Sequence, residues 1–269
     1  TTKTIAKIAG AVLAGMMALS FASCNEKNGG SGAVGADGLT KAQARLLKEK
    51  PAPEADFEIE LSKDGSYVTI TKYKGKAKTL VIPSTIQGLP VKRVGKDGND
   101  ECVLDKDSSV TSLVISEGIE VVAAEAFSPE DYDKCNLQTV VLPSTLKAIG
   151  SNAFFHNKTL TAINLPDGLE VIDGCAFRTT GITSLTLPKS LQFLDSYAFE
   201  FCDNLAEINI PDGLSLIHGS YGLDGADLSE FISGAKINES VVLQQKLRSV
   251  KTKYDMKESE KICKKYGLW

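Results

Sequence analysis

From Val110 onward the apolar positions recur on a period far longer than that of a helix or a strand. "LQTVVLPSTLKAIGSNAF" starts at Leu137, "LTAINLPDGLEVIDGCAF" at Leu160 and "ITSLTLPKSLQFLDSYAF" at Ile182. "VTSLVISEGIEVVAAEAF" precedes them at Val110, and "LAEINIPDGLSLIHGSYG" comes after them at Leu205. The starts lie 27, 23, 22 and 23 residues apart, the first interval being longer because "SPEDYDKC" is inserted after Phe127. A degenerate leading unit, "AKTLVIPSTIQGLPVKRVG", starts at Ala77. A period of roughly 20–50 residues is the mark of stacked units, none of which can bury its apolar face alone.

Within a unit each position has a physical reading. Val140 and Leu142 alternate with Val141, which predicts a short strand with one face inward. Its counterparts are Leu113/Ile115, Ile163/Leu165, Leu185/Leu187 and Ile208/Ile210. Proline, which lacks the N–H that a continuing ladder needs, closes most of these strands, and Asp-Gly or Ser-Thr turns the chain. A second inward pair comes next: Leu146/Ile149, Leu169/Ile172, Leu191/Leu194 and Leu214/Ile217. Ala-Phe ends the unit; alanine lets backbones approach, and Phe127, Phe154, Phe177 and Phe199 are expected to fill the interior.

The pattern L-x-x-[IL]-x-[IL]-P-x-x-[LI]-x-x-I-x-x-x-A-F resembles the BspA-like leucine-rich repeats of bacterial surface proteins, from residue 77 to about 222. "GSYVTITKYKGKAKTLVIPSTIQGLPVKRVG" is similar to the usual entry into such an array. The last unit departs from the pattern, with Tyr221-Gly222 where Ala-Phe should stand. The resemblance implies an α/β solenoid of about six units of 22–27 residues with short parallel strands. Strands from residues 55–75 would cap the first unit, and one or two helices after residue 223 would cover the far end, since Val241, Val242, Leu243, Leu247 and Val250 recur at helical spacing. Cys202 matches the inward-facing cysteine of the family, and Cys135 lies near that register.

The other end of the chain has a different character. Lys3 and Lys7 precede a short apolar run, Ile8–Leu19, that ends in small residues before Cys24. That is the layout of an export signal, too short to span a bilayer. "FASC" resembles a lipobox of the looser spirochaete type, which implies acylation of Cys24; an ordinary secretory signal is the alternative. The organisation is then a signal peptide over 1–23, a lipidated flexible linker over 24–39, an N-terminal helix and cap over 40–76, the solenoid over 77–222 and a helical cap over 223–269. In the linker, "GSGAVG" matches a dinucleotide-loop pattern, but no strand precedes it and no acidic ribose partner is placed by a βαβ unit. Thr40 should cap a helix in "KAQARLLKEK", which Pro51 stops.

Composition narrows the chemistry. The 269 residues carry a formal net charge of −4 without a basic run, which argues against nucleic acid. The only histidines, His156 and His218, fall at variable positions of the repeats, away from any nucleophile pattern, and read as surface side chains on turns. The acidic loop from Lys96 to Asp107 lacks calcium-loop spacing, and no two of the six cysteines form a CxxC zinc pair. A Cys102–Cys135 bridge across the first insertion is one open alternative. No catalytic residue, metal or cofactor is expected.

Two rows of outward residues are the candidates for binding. The first, on the main strand, is Val81, Val114, Val141, Asn164, Thr186 and Asn209, apolar in its N-terminal half and polar in its C-terminal half. The second, beside the second inward residue, is Val122, Ala148, Val171, Phe193 and Leu216. Five apolar residues in register form either a contact stripe or the seat of the C-terminal helices. The expected function is a non-enzymatic envelope lipoprotein of the bacterial outer membrane, on its surface or periplasmic face. Its repeats would bind a host or envelope protein. The membrane would be met only through the lipid anchor, and the apolar row offers a surface for self-association. The rival is a periplasmic scaffold that never faces a host.

Overall fold

Val140 and Leu142 point into the coil and Val141 points out, as strand alternation requires, and each later coil repeats this arrangement. The computed structural model describes residues 39–96, 102–129, 131, 136–219, 245, 247–248 and 250–269, all within the compact unit Ala33–Trp269. The expectations for the signal, Cys24, the linker, Cys135, Tyr221-Gly222 and Val241–Leu243 fall outside these residues.

The strands are β1 (Phe57–Leu61), β2 (Val68–Tyr73), β3 (Thr79–Ile82), β4 (Thr85–Ile86), β5 (Leu89–Val94), β6 (Ser112–Ile115), β7 (Val121–Val122) and β8 (Thr139–Val141). They continue with β9 (Ala148–Ile149), β10 (Ala162–Ile163), β11 (Val171–Ile172), β12 (Ser184–Thr186), β13 (Phe193–Leu194), β14 (Glu207–Asn209), β15 (Ser215–His218) and β16 (Lys251–Tyr254). The chain also forms the helices α1 (Lys41–Leu46) and α2 (Met256–Lys265) and a short 3-10 turn over Glu54–Asp56.

Each coil gives one strand to each of two flanks. On the first flank, β3, β6, β8 and β10 form a parallel four-stranded ladder, and β12 pairs separately with β14. On the second flank the order is β1-β2-β5-β7-β9-β11-β13-β15-β16, with β4 on β5. The antiparallel pair β1–β2 caps the first coil, as the sequence predicts. At the far end β16 adds a parallel strand to β15, while the expected C-terminal helix, α2, lies along the second flank.

A third ladder runs along the edge where the Ala-Phe motifs turn. The amides of Phe127, Phe154 and Phe177 each donate to the alanine carbonyl of the next coil, Ala153, Ala176 and Ala198, at 2.8 Å. Left-handed residues at Glu125, Asn152 and Cys175 aim a second amide at the next coil. Inside this edge the four phenylalanines form a stack with centroid spacings of 5.4, 5.3 and 5.2 Å and interplanar angles of 15°, 3° and 2°. These spacings suit offset stacking.

Beside that stack is a polar row not predicted as such. Asn157, Thr180 and Cys202 are buried three residues after successive phenylalanines. Asn157 Nδ2 donates to the carbonyls of Phe127 (2.8 Å) and Phe154 (3.1 Å), and the Cys202 thiol lies 3.1 Å from the Phe177 carbonyl. The row satisfies turn carbonyls that would otherwise be stranded in an apolar interior. Cys202 is inward-facing, as the resemblance implies, and burial pushes its thiol pKa up.

Candidate binding surfaces

The first outward row is closed over its N-terminal half. Val81, Val114 and Val141 are only 5%, 3% and 2% exposed, because Leu39 and Leu46, at the two ends of α1, pack on them. Gln43 explains why so short a helix stays in place. Its amide N–H donates to Thr40 Oγ1 and its Oε1 accepts from the Thr40 amide, which closes a capping box. Its Nε2 reaches the Val140 carbonyl at 2.8 Å, a buried bond between segments 97 residues apart. The helix starts after the predicted Thr40 cap but ends at Leu46, before Pro51. The three valines are therefore corrected from surface candidates to buried residues.

The C-terminal half of that row stays open. Thr186 and Asn209 are exposed. Asn164 is half-buried and committed: its Oδ1 accepts from the Leu142 amide (2.8 Å) and its Nδ2 donates to the Leu142 carbonyl (2.9 Å), so the side chain acts as one more rung of backbone.

The second row needs a change of register at both ends. Strand pairing aligns Val121, Ala148, Val171, Phe193 and Ile217. Val122 and Leu216 instead point into the core. In the last coil Ile217 stands seven residues after Ile210, whereas Phe193 stands six after Leu187, and one extra residue reverses the facing of the side chains beyond it. The same slip turns His218 inward, where it is fully buried with its ring 5.8 Å from that of Tyr254, so its prediction as a surface side chain is corrected.

This row is covered too. Ile262, Cys263, Tyr266 and Leu268 pack on Ala148, Val171, Phe193 and Ile217, and the Trp269 ring meets Phe193 edge-on at 5.9 Å. Polar clamps hold the covering strap along its length. Asp255 caps α2 by accepting from the Glu258 amide. Arg93 donates to the carbonyls of Tyr266 (2.8 Å) and Gly267 (2.9 Å), where a cation suits the helix C-terminus. Glu170 accepts from Tyr266 Oη (2.6 Å) and Lys265 Nζ (2.9 Å), and Asp173 accepts from Trp269 Nε1 (3.0 Å). Phe193 and Val171 are therefore seats for the strap, the alternative that the sequence left open.

The turn edge presents a cluster that neither row contains. Arg178 Cζ lies 5.9 Å from the Phe155 ring centroid and 5.2 Å from that of Phe201, with Nε 2.6 Å from Glu200 Oε2. Tyr197 and Phe201 are 43% and 46% exposed and sit at φ 57° and 56°. The equivalent left-handed positions carry Asn152 and Cys175 in one case and His156 and Thr179 in the other, so the fold does not require aromatic rings there. Bulky residues at positive φ are uncommon and strained. His156 is half-buried on this edge, and burial, then Lys158 and Arg178, lower its pKa. Among the described residues no three metal-ligating side chains come together.

Comparison with known proteins agrees with the repeat architecture. A solved T. pallidum leucine-rich repeat protein is 23% identical, with 77% of this chain and 99% of that one covered at a TM-score of 0.48. A leucine-rich cell surface protein from Faecalibacterium prausnitzii is 23% identical, with 65% of this chain and 46% of that one covered at 0.51. A Bacteroides ovatus leucine-rich repeat protein is 22% identical, with 61% and 42% covered at 0.50. This chain thus spans less than half the length of the last two. No curated protein matches it. Residues 125–241 match the family described as BspA type leucine rich repeat region (6 copies). The array seen here, with its Ala-Phe turns and paired flanks, is a leucine-rich repeat solenoid, and its part from residue 125 onward matches the BspA type.

Proposed function

We propose that this chain is a non-enzymatic binding protein of the bacterial envelope that engages a protein partner through the turn edge around Arg178, Tyr197 and Phe201. The observation that carries the reading is the exposure of two aromatic rings at left-handed positions the fold fills elsewhere with smaller side chains. Tyrosine and arginine are enriched among residues that dominate binding energy, and an arginine held between rings is already ordered before contact. Thr186 and Asn209 on the open half of the first flank would form a polar margin. Val81, Val114, Val141, Val122, Val171, Phe193 and Leu216 have no place in the contact, because they are buried. Anchoring through an acylated Cys24 belongs to the same proposal, and the similarity to bacterial leucine-rich proteins supports an envelope location.

Protease treatment of intact cells tests the location. Degradation while periplasmic markers survive supports a host-facing or cell-facing adhesive role; survival until the envelope is opened supports the periplasmic scaffold. With a partner in hand, the Tyr197→Asp/Phe201→Asp variant should lose about tenfold or more in affinity. Thr186→Asp/Asn209→Asp should lose less. The reverse ranking would overturn the assignment of the surface.

A further inference from the structure

The segment "KAQARLLKEK" sets four cations, Lys41, Arg45, Lys48 and Lys50, against one acid, Glu49, in a chain whose net charge is −4. In sequence they are too widely spaced to read as a basic run. Docking of α1 sorts them. Gln43 is buried toward Val140 and Leu46 turns toward the valines, which leaves Lys41 and Arg45, one helical turn apart, exposed on the far side with Lys48. The chain keeps turning past α1, because the amides of Lys48 and Glu49 donate to the Arg45 and Leu46 carbonyls at 3.1 Å. Leu47, 55% exposed, stands among the cations. The lysines of α2 differ: Lys261 pairs with Glu258 (3.0 Å), Lys264 with Glu260 and Lys265 with Glu170 (2.9 Å). Among the described residues no ion pair engages Lys41, Arg45, Lys48 or Lys50. Helix stability does not account for them either. Arg45 suits the last turn, but Lys41 opens the first turn, where the helix dipole disfavours a cation and no acid offsets it.

We propose that the outer face of α1 and the turn after it form a membrane contact, in which Lys41, Arg45 and Lys48 meet the phosphate groups of anionic lipids and Leu47 enters the headgroup layer. Unpaired cations around an exposed apolar side chain are the chemistry of a segment that lies in such an interface. The acylation proposed for Cys24 tethers the chain 17 residues before Lys41, which favours a bilayer over an acidic protein as the occupant of this face. The contact turns the N-terminal half of the first flank, which α1 covers, toward the bilayer. It is a second hold on the membrane beside the lipid anchor. It shares no residue with the turn edge around Arg178, so either assignment can fail without the other.

The test uses the chain from Cys24 onward, produced without acylation. It keeps the whole compact unit and leaves out the apolar run Ile8–Leu19, which would itself enter a bilayer. Co-flotation with vesicles of equimolar phosphatidylglycerol and phosphatidylcholine is compared with phosphatidylcholine alone. Binding is expected to the anionic vesicles only and should weaken as salt rises. Each cation held against such a surface strengthens binding about fivefold, so Lys41→Gln/Arg45→Gln/Lys48→Gln should lose about a hundredfold. Lys257→Gln/Lys261→Gln/Lys264→Gln removes the same charge from α2 and should bind nearly as the wild type does. Should the first variant release α1, Lys48→Gln alone, beyond the helix, should still lose about fivefold. Equal binding to neutral vesicles, no binding to anionic ones, or an equal loss in the α2 variant overturns the inference.

Discussion

The two flanks of the array are built from the same coils and end differently. On the second flank a continuous ladder presents an apolar outward row from Val121 to Ile217, and the strap covers most of it. On the first flank the ladder divides after β10. The outward row changes from valine to Asn164, Thr186 and Asn209, and α1 covers only the valines. Each apolar stretch has thus acquired a covering segment from outside the repeats, and each polar stretch has stayed open. The lesson is that an apolar row in register in a repeat sequence marks a seat for a capping segment before it marks a partner's footprint. The surface proposed for recognition is the turn edge, where the fold fills the same left-handed positions elsewhere with side chains other than aromatic rings such as Asn152 and Thr179.

Four substitutions would break or sharpen this contrast. The largest effect belongs to the interior shared by both flanks. Phe177→Ala opens the middle of the phenylalanine stack and should cost about 3–5 kcal/mol in chemical denaturation. Phe193→Ala should cost about 3 kcal/mol. Its loss should fall on the strap, read as increased exposure of Trp269 while the array keeps its far-ultraviolet spectrum. Gln43→Ala leaves the buried Val140 carbonyl without its donor and should cost about 1–3 kcal/mol, with faster exchange confined to the first flank. Phe201→Asn, at a left-handed position that asparagine tolerates, should change stability by no more than about 0.5 kcal/mol. Equal costs at Phe193 and Phe201 would erase the distinction between covered and open surfaces.

The repeat period, the inward pairs and the interior phenylalanines were legible in the sequence, because eighteen-residue motifs repeat with apolar types at the same inward positions from coil to coil. The second flank was harder to read as a sheet. Strands such as Ala148–Ile149 and Val171–Ile172 are two residues long and offer no alternation to recognise. The covering of Val141 depends on Leu39 and Leu46, about a hundred residues away, and no local pattern records it. The slip at Ile217 comes from one residue in a turn, which a sequence alignment absorbs without showing which side chains it reverses. Tyr197 and Phe201 were hidden for the opposite reason: by residue type they read as core, and only the left-handed backbone turns them outward.

The most direct test of the account is photo-cross-linking in intact cells. A photoreactive phenylalanine analogue is placed singly at Phe201, at Thr186, and at Leu61, an exposed apolar position on the cap strand. The account predicts a discrete protein adduct that is strong from position 201, weaker from 186 and absent from 61. An adduct equally strong from position 61, or found only from 186, would contradict the assignment of recognition to the turn edge.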